Sequence, residues 1–310
     1  MPDPILMLEA MGAAAATAAV VLLLFGWPWR TPRAARVAAG WAVGVGLGLA
    51  VGLRALKVPL HWPPAEDQDR FLLLVMPAVF AVELLAAVPR VSRWLILALR
   101  GAIAAGVAPV LLHGSTYLAG PASAEHWPPA QMGLILGGIA AALAAVWGLL
   151  ALLHSRAPGR SLPAALALTC AAAGVTVMLS GYLSGGQLVL PLAAGLAGAA
   201  AAAVVLSGPF GTTGWLGPGV VGLFSVLVVG RFFANLTTAH ALVLFSAPLL
   251  AWLPELPGVR RLRLSLRGLA RVALIAAAAL AVASRAQKSP GTAPTPSAEY
   301  SIQDYMDFKP

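Results

Sequence analysis

Two ionisable residues stand inside long apolar runs, and they are the first place to look for chemistry. Glu83 lies in the run 72–88, and Arg100 lies in the apolar stretch that begins at Trp94. A charge is costly at membrane depth, so such a residue marks a structural pair or a site that handles protons, ions or substrate. The turn between the two runs is centred between Val91 and Ser92, eight or nine positions from each residue. At about 1.5 Å per residue, both sit at the same height on antiparallel neighbours. An ion pair there relieves much of the cost of burying either charge alone. It serves as a clamp between helices, or as a gate or coupling pair on a substrate path.

Tyr182, Gln187, Arg231 and Asn235 complete the candidate path. Arg231 and Asn235 are four positions apart, which aligns them on one face if the helix continues that far. With His240 beyond, they form a polar rim: the mouth of a path or a headgroup-binding helix end. His61, His113, His126 and His240 fall on the same side, near Glu66, Asp67, Asp69 and Glu125. Histidine with carboxylates binds transition metals or senses pH. No pair here has i, i+4 ligand spacing, so no metal site and no cofactor is expected. The zinc motif His-Glu-x-x-His, the Gly-x-Ser-x-Gly nucleophile turn, phosphate loops and dinucleotide fingerprints are all missing. No catalytic residues are assigned, and an enzymatic role is not expected.

The elements that position these residues are set by composition. Of the 310 residues, 60% are hydrophobic and 10% charged, too much apolar surface for one soluble core. About 20 apolar residues cross a bilayer as a helix. On that scale the expected spans are 5–27, 35–56, 71–89, 94–117, 130–153, 162–183, 187–207, 214–233, 237–253 and 268–285. The runs are continuously apolar rather than alternating, which favours helices over a barrel. The predicted fold is all-α: a polytopic transmembrane bundle of about ten spans in one domain, residues 1–286. A flexible Pro/Ser/Thr-rich tail, 287–310, follows. Its aromatic-acidic end, from Tyr300 to Pro310, has the character of a docking peptide for a protein partner.

The net charge of +9 suggests nucleic acid only in a soluble chain; here the expected partner is the lipid bilayer, not nucleic acid. Arg30, Arg33 and Arg36, then Arg90 and Arg93, Arg156 and Arg160, and Arg260 to Arg271 sit in short loops after spans 1, 3, 5 and 9. Basic loops stay in the cytoplasm, so both chain ends are expected outside. Arginine far outnumbers lysine, and Ala and Gly abound, a bias of GC-rich bacterial genomes; a bacterial cytoplasmic (inner) membrane is the expected location. Met1 to Glu9 has no basic start, so a cleaved signal peptide is not expected. The single cysteine, Cys170, lies inside a span and forms no disulfide framework.

His61-Trp62-Pro63-Pro64-Ala65 returns as His126-Trp127-Pro128-Pro129-Ala130. Proline suits a first helical turn, and tryptophan suits the headgroup layer. His61, Trp62, His126 and Trp127 are therefore expected as outer-face anchors. Gly208, Pro209, Gly211, Gly214, Gly217, Pro218 and Gly219 mark either a turn or a broken helix of the kind transporters use. In length and span count the chain is similar to the drug/metabolite transporter superfamily. That family keeps both ends in the cytoplasm, and no five-plus-five repeat appears here, so no family follows. Two functions remain open: a small-molecule or ion permease, and a non-catalytic membrane subunit or scaffold of a larger complex.

Overall fold

The computed structural model describes residues 3–26, 34–118, 127–156, 161–206, 214–255, 268 and 271–277, and among these there is no strand. The order is α1 (Pro4–Gly26), α2 (Ala34–Ala55), α3 (Asp67–Arg70), a π turn (Phe71–Val75), α4 (Met76–Ala86) and α5 (Arg93–Leu111). Then come α6 (Pro129–Arg156), α7 (Ser161–Leu179), α8 (Leu183–Val205), α9 (Leu216–Phe233), α10 (Thr238–Ser246) and a 3-10 helix (Ala247–Glu255).

Local chemistry sets the boundaries. Ser92 caps α5, its hydroxyl accepting from Trp94 N–H at 3.3 Å, and Thr237 caps α10 through His240 N–H at 3.3 Å. These caps satisfy N–H groups that have no intrahelical partner. Gly181 closes α7 with φ 100°. Tyr182 N–H then reaches back to the Val177 carbonyl at 3.2 Å, the left-handed exit that glycine makes cheap.

Among the described residues, seven helices are long and apolar enough to cross a membrane: α1, α2 and α5 to α9. Each matches one expected span. The expected span 71–89 is instead a composite rod, α3 through α4. Its π turn is marked by the Met76 N–H donating to the Phe71 carbonyl, one residue wider than an α turn. The expected span 237–253 is divided into α10 and the 3-10 helix, which contains Pro248 and Pro254; proline cannot donate to a helical ladder. Of the expected span 268–285, residues 271–277 are helical and the rest lies outside the described residues, apart from Gly268. The tail 287–310 also lies outside them.

Small residues let α1, α2 and α8 meet backbone to backbone. Gly44, Gly48 and Gly52 of α2 face Ala18, Ala14 and Ala10 of α1 in turn, so these two helices run antiparallel. Gly198 of α8 abuts the backbone of Ala15. Helix α9 runs through the middle, touching α4 to α8, and is buried from Leu216 to Gly230. Gly217, Pro218 and Gly219 form the opening of this helix rather than a break within it; Gly208, Pro209 and Gly211 lie outside the described residues.

The alternating helices sort polar residues to two ends. One end holds Asp67, Asp69, His113, Tyr182 and Asn235, tied by Asn235 N–H to the Ser180 carbonyl at 3.0 Å. The other holds the α4–α5 turn with Arg90 and Arg93, the start of α2 with Arg36 and the end of α6 with Arg156. Arg271 belongs to this arginine-bearing end, where it bonds Glu255 and the Ser161 hydroxyl.

Candidate functional site

Glu83 and Arg100 meet as their equal distance from the turn requires. Arg100 donates from Nη2 to both carboxylate oxygens at 2.8 and 2.9 Å and from Nε to Oε1 at 3.1 Å. This fork is the strong form of a charge-assisted bond. Glu83 is 1% exposed. The Arg100 guanidinium lies 5.4 Å from the centre of the Trp147 ring on α6, within cation–π range. Gly217, in the first turn of α9, supplies the remaining wall. Four helices thus close on one ion pair.

At the opposite end, the Tyr182 hydroxyl donates to the Asp67 carboxylate, 2.9 and 2.8 Å from its two oxygens. Burial pushes the Tyr182 hydroxyl pKa well above the ordinary tyrosine range, and the Asp67 charge adds to this against an opposing bond from Ser184. Asp69 is fully buried; its Oδ1 accepts from His61 N–H at 3.3 Å, and its Oδ2 lies 3.5 Å from His61 Nδ1. Arg70 donates to the carbonyls of His113 and Ala65. These contacts pin the loop 57–66 to α3, and α3 in turn to the α7–α8 turn and to the end of α5.

A chamber of about 430 Å³ opens between α6, α9 and α10 near this same end. Its walls are apolar, with Leu227, Phe224 and Phe245 toward the middle of the bundle. Trp127, Tyr117 and Phe232 line its outer part as a three-ring cluster, centroids 5.1 to 5.4 Å apart. Arg231 stands on the lining beside Phe232, its Nε donating to the Thr238 hydroxyl at 2.7 Å. Among the described residues no carboxylate pairs with it.

The six expected path residues therefore fall in separate places. Glu83 and Arg100 pair at the arginine-bearing end, and neither lines the chamber. Tyr182 binds Asp67; Gln187 is half-buried farther along α8. Arg231 lines the chamber and Asn235 does not. Helix α9 ends at Phe233, and Ala234 is extended at φ −129° and ψ −174°; Arg231 and Asn235 thus share no helix face. Of the expected anchors, His61 is exposed and Trp62 is 77% exposed. Trp127 instead packs against Tyr117 and Phe232, because Pro129 starts α6 directly beside it while α3 starts three residues after Pro64. His126 lies outside the described residues.

Trp147 carries no mark in the sequence, where it belongs to an ordinary apolar run. Gly217 stands out there only as part of the Gly-Pro segment, and Asp67 only as one of the acids on the histidine side, 115 positions from Tyr182. His154 is buried against Trp215, ring centroids 5.4 Å apart in a T shape. Among the described residues no three His, Cys, Asp or Glu side chains gather around a metal position. Comparison with protein families, with characterised proteins and with solved structures finds no match to any of them. Among the described residues the chain is an all-helical bundle with seven apolar helices of membrane-crossing length, the form of a multi-pass membrane protein.

Proposed function

We propose that the chain is a small-molecule permease of a bacterial cytoplasmic membrane, with its arginine-bearing end in the cytosol and the chamber opening outside. Ten crossings are reached by counting three further segments. The rod from Asp67 to Ala86 is about 30 Å long at 1.5 Å per residue, α10 continues into the 3-10 helix, and a last helix starts beside Arg271. Both chain ends then lie outside, in keeping with cytoplasmic basic loops.

The chamber at Arg231 is the observation that carries the proposal. Concave apolar pockets with a few convergent polar groups are the usual ligand sites, and this one opens at a helix end rather than deep in the bundle. Glu83 and Arg100 act here as a clamp beneath the path. Uptake of small organic anions into proteoliposomes tests transport. Saturable uptake by the wild type that falls at least several-fold in Arg231→Gln supports it; no uptake of any anion tried counts against it.

One observation favours the second function, a non-catalytic membrane subunit. The ion pair is satisfied within the protein, so it needs no water or substrate to complete it. In that case residues 300–310 bind a protein partner, and co-purifying proteins are lost when they are deleted.

A further inference from the structure

We infer that the chamber beside Arg231 binds an anionic single-chain amphiphile, a medium-chain carboxylate, with its head on Arg231 and its chain running inward. The inference rests on the chamber being a ligand site, as in the permease proposal, and adds what fills it.

Five observations specify the occupant. The chamber runs along α9 from Arg231 to Phe224, seven residues or about 10 Å. Its inner lining is apolar, with Phe224, Leu227 and Phe245 buried; this suits hydrocarbon and leaves a polar solute without partners there. Arg231 is exposed, engages the Thr238 hydroxyl through Nε, and has no described carboxylate on its two terminal amino groups. A guanidinium presents those groups as a fork matched to a carboxylate. Finally, the Tyr117, Trp127 and Phe232 rings stand at the same level as Arg231, where a head meets its chain. Volume selects a single chain: about 430 Å³ falls at the low end of the range of small-molecule pockets.

Trp127 makes binding visible, because bromine on an alkyl chain quenches a nearby indole. The full chain is placed in nanodiscs of a neutral phosphatidylcholine and titrated with 2-bromo-octanoate, whose bromine sits beside the carboxylate at the level of Trp127. The chain has nine tryptophans, so the signal of interest is the part lost in Trp127→Phe. That part is expected to saturate. Arg231→Gln is expected to weaken binding about tenfold, the scale of a lost hydrogen bond to a charged group, while Arg231→Lys, which keeps the charge but loses the fork, is expected to fall between the two. The matching brominated alcohol is expected to bind about tenfold more weakly for the same reason. Ala142→Trp, which fills the chamber from α6, is expected to abolish the saturable part while leaving the elution profile unchanged.

Quenching that grows linearly with probe, or is equal in wild type and Arg231→Gln, overturns the inference. So does stronger quenching of Trp127 by a brominated two-chain anionic phospholipid at equal membrane concentration. Saturable binding without uptake in proteoliposomes upholds the amphiphile site and removes transport. Uptake of small anions with no bromo-octanoate binding does the reverse.

Discussion

Gly217 has no side chain where Glu83 needs the room: a β-carbon there would lie 2.6 Å from Glu83 Oε1 and 2.9 Å from Trp147 Cζ2. The first turn of α9 is thereby fitted to the ion pair that joins α4 to α5. Gly217→Ala is expected to push Glu83 off the Arg100 fork and lower the thermal midpoint in detergent. Glu83→Gln strands a mostly buried guanidinium, at a cost of about 3 kcal/mol. If the pair is a clamp, replacing both partners by leucine is expected to restore most of that loss, since an apolar pair often matches a buried ionic one. Failure of the double substitution to recover stability, with transport lost, points instead to a working charge pair.

Backbone contact between α1 and α8 sets a second expectation. A β-carbon at Gly198 would come within 2.1 Å of the Ala15 carbonyl oxygen, whereas one at Gly101 meets nothing within 4 Å. Gly198→Ala is expected to destabilise by about 1–3 kcal/mol through overpacking. Gly101→Ala is expected to be neutral or to stabilise by about 0.5–1 kcal/mol, as alanine does in a helix interior. Paired melting curves check both.

The bond from Tyr182 to Asp67 makes an alkaline signature. Burial raises the Tyr182 hydroxyl pKa above that of the unfolded chain. The folded state therefore holds its proton more tightly, and the stability this contributes is complete below the unfolded value, near 10. It is lost as pH climbs from there toward the higher folded value. Tyr182→Phe is expected to flatten the fall in stability above about pH 10, relative to the wild type, while removing a hydrogen bond at neutral pH. An identical alkaline slope in both proteins contradicts the assignment.

How much of this was visible in the residues alone depends on the kind of signal. Long apolar runs mark α1, α2 and α5 to α9 directly, because burial in lipid demands them. Equal spacing from the Val91–Ser92 turn brought Glu83 opposite Arg100 without any tertiary knowledge. Trp147 and Gly217 complete that site through packing: Trp147 is unmarked in its apolar run, and the Gly-Pro segment singles out Gly217 without showing that Glu83 needs its space. The π turn at Phe71–Val75 comes just ahead of Pro77, which has no N–H to give the helical ladder, but the proline alone does not say that the helix widens there rather than ends. Trp62 and Trp127 share a five-residue motif, yet one is exposed and the other walls the chamber; the difference lies in where the next helix begins. The six polar residues expected along one path were grouped by height, and height says nothing of which helices adjoin.

An outward-facing Arg231 chamber requires the arginine-bearing end to lie in the cytosol, and site-directed labelling tests that orientation most directly. With Cys170→Ser as background, Ala239→Cys sits beside the chamber mouth and Pro89→Cys in the α4–α5 turn, both at exposed positions. A membrane-impermeant maleimide added to intact cells is expected to label Ala239→Cys, and to reach Pro89→Cys only after the membrane is opened. Labelling of Pro89→Cys from outside, with Ala239→Cys protected, would invert the bundle and place the Arg231 chamber on the cytosolic side.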